Sequence, residues 1–142
     1  MVIGLTLMKF PNPINNADLH RLAESMGVRL VRHDNGVKGW YCHETRTIST
    51  RRGMSIAAYR STLAHELGHA HYGDIPQENG YYHQRQEKRA WDYAASLLID
   101  KSQYTEAATW HDHDQRAIAD ELEITHHLLT HWSRKHTEQK AS

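Results

Sequence analysis

A chain of 142 residues can bury one core without disulfide or metal staples, so it reads as a single domain in which a metal would serve chemistry rather than folding. Its 17 basic and 17 acidic side chains cancel, which excludes a global field drawing it to nucleic acid or membrane and leaves any such binding to a local patch. No run reaches the roughly 18 apolar residues that span a bilayer, and the lone Cys42 cannot form an internal disulfide, as suits a reducing cytoplasm.

Thirteen histidines make the net charge swing positive as pH falls through about 6.5. The opening Met1 to Phe10 is apolar, but Lys9 follows the apolar part and no small-residue cleavage site is evident. It reads as a mature N-terminus, either an edge strand or a disordered lead, within a lead segment 1–15.

Asn16 is a fair N-cap, and Leu19, Leu22, Ala23 and Met26 recur at helical spacing before Gly27, which predicts a first amphipathic helix over 17–26. Val28 to His33, Gly39 to His43 and Thr47 to Thr50 are short and rich in β-branched or aromatic residues. Asp34-Asn35-Gly36 and Glu44-Thr45-Arg46 separate them, which predicts a three-stranded antiparallel meander. Such a sheet either offers an edge to an extended substrate or only covers the helix that follows.

That helix carries His65-Glu66-Leu67-Gly68-His69, an H-E-x-x-H run inside Ser61 to Gly73. On a helix, residues four apart share a face, so His65 and His69 can hold one metal ion while Glu66 is placed to take a proton from water. Leu63, Leu67 and Ala70 give an apolar stripe, and Gly73 and Pro76 supply a stop. Gly68 opposes helix mildly but lets another backbone or a substrate come close. The plain alternative is an exposed polar face that happens to spell the motif.

Gly73 to Gly80 reads as a loop, and a second helix is predicted from about Gln84 to Asp100, with Ala90, Tyr93, Ala94, Leu97 and Leu98 on one face. Glu87 lies on that face one turn before Ala90. A carboxylate there is costly unless paired or bound to metal, which makes Glu87 the best third ligand. A surface glutamate paired with Arg85, Lys88 or Arg89 is the alternative, and His83 is the rival ligand. His71 points to another face, Asp74 lies beyond the helix end, and Tyr72 and Ile75 stand where the long zincin pattern needs Gly and a ligand. Tyr81, Tyr82 and His83 are candidates to steady an oxyanion.

From Ser102 the chain is polar, and His111-Asp112-His113-Asp114 reads as solvated surface rather than a second metal cluster. Helices are predicted over 116–122 and 126–132, with Ala119, Leu122, Ile124, Leu128, Leu129 and Trp132 inward and 136–142 a disordered tail. The pair has a helix-turn-helix outline, but Glu123 replaces the usual turn glycine. His126, His127, Thr130, His131 and Arg134 make a weakly basic reading face, so a packing role is preferred to DNA binding. The expected architecture is α+β: the sheet packed on the motif helix and a second ligand-bearing helix in a catalytic core 16–100, with a helical C-terminal part 101–135.

Thr62 to His69, followed by Glu87, Ala90, Tyr93-Ala94-Ala95 and Leu97-Leu98, resembles the ImmA/IrrE family of metallopeptidases, with its E-x-x-A-x-x-F-A-A-x-L-L second motif. The similarity covers about Asp18 to Asp100. It implies a zinc endopeptidase with His65, His69 and Glu87 as ligands and Glu66 as general base. It also implies a narrow protein substrate, a helix-turn-helix repressor of phage, mobile-element or stress genes. The chain departs from the family at Trp91, where Asp or Asn is usual, with Asp92 one residue later, and it lacks the proline that often follows the leucine pair. The competing reading is a non-catalytic regulatory protein that grips DNA or a repressor through its C-terminal helices. A toxin or antitoxin partner with a degenerate site is less favoured, since the ligands and Glu66 are intact.

Overall fold

The computed structural model describes residues 14–141, so the expectations for Met1 to Phe10 lie outside the described residues. Helix α1 spans Asn16–Ser25. Its cap is Asn15, one residue earlier than predicted: Asn15 Oδ1 accepts from the Asp18 N–H at 2.8 Å, and the Asp18 carboxylate accepts from the Asn15 N–H at 3.0 Å. This reciprocal pair satisfies two donors that a helix start otherwise leaves bare. Leu19, Leu22 and Ala23 turn inward.

Strands β1 (Arg29–His33), β2 (Gly39–Cys42) and β3 (Thr47–Arg51) fall where the sequence places them. Their pairing differs from the predicted meander: the order is β1-β3-β2, with β2 antiparallel to β3 but β1 parallel to it, so the sheet is mixed. The cause lies in the link 34–38. Asn35 and Gly36 take positive φ of 58° and 79°, and the link passes over the end of β3, where Arg51 donates to Gly36 O at 2.7 Å. β3, buried along Thr47 to Thr50, becomes the centre, and β2 is left as an edge.

Helix α2 (Ile56–Tyr72) starts on a Ser55 cap and ends at Gly73 in the left-handed conformation. From Arg60 to Gly68 every residue is buried, polar ones included, which marks α2 as the central helix of the molecule rather than an amphipathic surface one. Its most extensive neighbour is α3 (Gly80–Leu98), which starts four residues before the predicted boundary because Asn79 caps it.

Helix α4 (Lys101–Trp110) occupies the stretch that reads as polar from sequence; only Ala107 and Ala108 are buried in it. The His111 to Asp114 run is the α4–α5 turn. Asp112 and His113 have positive φ, His111 bonds Glu121 at 2.9 Å, and Asp114 caps α5 (Gln115–Leu122), so these groups are used structurally. Helix α6 (His126–Ala141) continues past His136, where a disordered tail was expected. Ile118, Ala119, Ile124, Leu128, Leu129 and Trp132 join the core, and the whole is α+β.

Buried Arg60 fastens these parts to α2. Its guanidinium donates to Ile14 O at 2.8 Å, Asn16 Oδ1 at 3.1 Å and Glu123 O at 3.1 Å, linking the start of α1 with the α5–α6 turn. His131 of α6 bonds Asp92 of α3 at 2.6 Å, and His127 packs on Trp91, so two of the five side chains on the reading face contact α3 instead.

Candidate metal centre

The H-E-x-x-H helix needs its ligand face turned to a cleft while its back is packed. Leu63, Ala64 and Leu67 are fully buried, whereas His65 and His69 lie at the floor of a cleft of about 420 Å³. The ligand-capable atoms of His65, Glu66 and His69 fall within 4.8 Å of one another, the one such group among the described residues. Glu87 reaches in from α3: one carboxylate oxygen lies 3.0 Å from His65 Nε2 and the other 3.0 Å from His69 Nε2.

Close approach of α3 depends on Gly68. A Cβ there would stand 2.8 Å from Ala90 O and 2.9 Å from Ala90 Cα. On the opposite wall, a Cβ at Gly39 of β2 would meet Thr62 Cγ2 at 2.6 Å and Glu66 Cγ at 3.3 Å. The two glycines thus let a helix and an edge strand close on the motif from either side. Gly39, Trp40 and Tyr41 line the cleft.

The far sides of the two imidazoles are also held. His69 Nδ1 lies 2.9 Å from Asp74 Oδ2, and Arg89 of α3 donates to the other oxygen of Asp74 at 2.7 Å. Asp74 stood in the sequence as a residue past the helix end. The left-handed turn at Gly73, with Asp74 N–H donating to His69 O at 2.9 Å, brings its side chain back onto its own helix. A Gly-Asp pair directly after H-E-x-x-H-x-x-x is the signal that could have located it. His65 Nδ1 lies 2.9 Å from Glu66 Oε2, and Trp91 stacks on the His65 ring at a centroid distance of 4.0 Å and 21°. Asp92 bonds His131 and Lys88 and reaches neither ligand candidate.

His83 lines the same cleft but is exposed, and no described hydrogen bond joins its ring to His65 or His69. Tyr81 and Tyr82 are exposed in the first turn of α3.

The electrostatics favour positive charge at the point where Nε2, Nε2 and carboxylate meet. Burial depresses the basicity of His65, but its bonds with Glu66 and Glu87 outweigh this and hold its pKa at about 9. Burial likewise works against the charge on His69 and is outweighed by Glu87 and Asp74, so its pKa is raised. Hydrogen bonds from the two histidines hold the Glu87 carboxyl far below the ordinary range. Two imidazole nitrogens and a carboxylate on one locus are a donor set suited to a divalent transition-metal ion.

A metal-capable pair of histidines on one helix, answered by a carboxylate from the next and flanked by an edge strand, defines a metallopeptidase architecture. The profile of the Peptidase_M78 family, the IrrE N-terminal-like domain, matches residues 18–131, and the chain belongs to that family. The match runs through α5 into α6, past the Asp18 to Asp100 span on which the resemblance rested. No curated protein matches the chain. As a member it is a metallopeptidase, a hydrolase whose substrate is a protein and whose centre takes a metal ion. Among the described residues no helix is long and apolar enough to cross a membrane.

Proposed function

We propose that the chain is a zinc-dependent endopeptidase acting in the cytoplasm on one specific protein, a helix-turn-helix repressor of phage, mobile-element or stress genes. One observation carries the reading of the centre: the two oxygens of Glu87 each lie 3.0 Å from a different Nε2 of the motif histidines, converging three donors from two helices. His65, His69 and Glu87 would hold the metal. Bound there, zinc would supply a Lewis acid for the scissile carbonyl and bring the pKa of water towards neutrality.

The remaining chemistry belongs to the chain. Asp74 would accept from Nδ1–H of His69, the tautomer in which Nε2 offers a lone pair to a metal ion in place of a proton to Glu87. Glu66, buried beside the ligands, takes the proton from the attacking water and passes it to the leaving amine. An extended substrate segment pairs with the outer edge of β2, which β3 leaves unpaired on the cleft side.

Metal content and Glu66→Gln test this together. Purified protein should hold one zinc, retained in His83→Ala and Glu66→Gln and lost in Glu87→Ala. Cleavage of the helix-turn-helix repressor encoded nearest the gene should disappear in Glu66→Gln. A regulatory effect that survives Glu66→Gln would overturn the enzymatic reading in favour of a binding protein.

A further inference from the structure

A second depression, of about 330 Å³, lies beside the metal cleft and shares Gln77 and Gln86 with it as a common wall. Its other lining residues are Tyr82, Arg85 and Arg89. Every one of these five side chains can donate a hydrogen bond, and none is acidic. We propose that this depression is a substrate subsite for an anionic side chain, a carboxylate or a phosphoryl group, carried next to the scissile bond. The inference rests on the peptidase reading above and narrows its substrate class.

Both guanidinium groups are prepared for such a ligand. Arg89 lies over the Tyr72 ring at 4.0 Å and spends one nitrogen on Asp74, which leaves further N–H donors. Arg85 lies over the Tyr81 ring at 5.7 Å, and no described carboxylate pairs with it. A guanidinium over an aromatic ring still has N–H groups to offer, and their fork matches the two oxygens of a carboxylate or phosphate. Among the described residues Arg52 is paired with Asp34, and Lys88 and Lys135 with Asp92, whereas Arg85 has no such acidic partner. Arg85, next in sequence to the cleft residue Gln86, has no described acidic partner and is left for one from outside.

Position gives the charge a use. In the metal cleft the charge of a bound zinc is balanced by Glu66 and Glu87, whereas the adjoining depression has two guanidinium groups and no carboxylate in its lining, so an anionic side chain is drawn to that depression. A peptide laid along β2 would therefore be set in one register, with its anionic residue on the Arg85 side and the bond to be cut over the ligands.

The test uses zinc-loaded protein and short peptide hydroxamates, which bind through the metal. The series carries glutamate, phosphoserine, glutamine or lysine at each position in turn, and calorimetry gives dissociation constants. At one position glutamate or phosphoserine should bind roughly five- to tenfold more tightly than glutamine, the more favoured of the two identifying the group, and lysine should bind most weakly. The preference should shrink as salt rises and fall to less than half in Arg85→Gln, with the glutamate peptide losing more affinity than the glutamine peptide. Equal binding of glutamate and glutamine peptides at every position would overturn the subsite alone, as would a preference that persists undiminished in Arg85→Gln. Failure of every hydroxamate to bind would overturn the zinc-endopeptidase reading and the subsite with it.

Discussion

The indole of Trp91 lies face to face with the imidazole of His65 and also meets His127 of α6 edge-on at 4.7 Å. The family that the sequence resembles usually places Asp or Asn at this point, where it could bond a ligand histidine. This chain fixes the ring plane by contact with an aromatic face. Trp91→Phe should keep the stack and hold zinc affinity within a few-fold. Trp91→Ala should lower affinity about tenfold, the lower end of what loss of a supporting group costs. Competition against a chelator measures both, and far-ultraviolet dichroism checks that the variants are folded.

Asp74 and Arg89 support the other histidine. Removing the carboxylate in Asp74→Ala frees the His69 ring and leaves the Arg89 guanidinium without its acid, so metal affinity should fall about 10- to 100-fold. Asp74→Asn keeps an acceptor and should fall between wild type and Ala. Zinc affinity equal to wild type in Asp74→Ala would show that His69 is oriented by other means.

Much of this centre was legible because helical spacing is local: His65, Glu66 and His69 are fixed by periodicity, and Glu87 by its place on an apolar stripe. The sheet order was not, since short strands separated by turns look alike whether the link makes a hairpin or passes over the end of a strand, as 34–38 does. Helix α4 escaped notice because only Ala107 and Ala108 are buried in it, too little apolar pattern to register. Asp74 and Arg60 were illegible for another reason. One acts through a reversal of chain direction at Gly73, the other through contacts with Ile14 and Glu123 far away in sequence.

Gly68 and Gly39 set the spacing on either side of the motif helix. In Gly68→Ala the new methyl would press on the Ala90 backbone, which cannot swing aside as a side chain can. The variant should lose about 1–3 kcal/mol of stability and, by pushing Glu87 outward, bind zinc more weakly. Gly39→Ala would press on Thr62 and the stem of Glu66, so it should lower catalytic rate more than metal affinity. Chemical denaturation, metal titration and cleavage rate separate the two; equal loss of metal in both would contradict the assignment of one glycine to each wall.

The junction of α3 and α6 predicts a response to acid. Burial raises the pKa of Asp92, but hydrogen bonds from His131 and Lys88 and the charge of Lys135 outweigh it, so the folded value lies below the ordinary 3.8. A carboxyl with a depressed folded pKa adds stability that is present above its unfolded value and is lost as pH falls through the folded one. The pair is partly solvated, so its contribution should be no more than about 1 kcal/mol. Thermal melts of metal-free wild type and Asp92→Asn, taken from pH 5 to pH 2.5, isolate it from metal release. The wild type should melt higher by a few degrees at pH 5, and the gap should close below about pH 4. A gap that stayed constant to pH 2.5 would mean that Asp92 stabilises the junction by packing rather than by its charge.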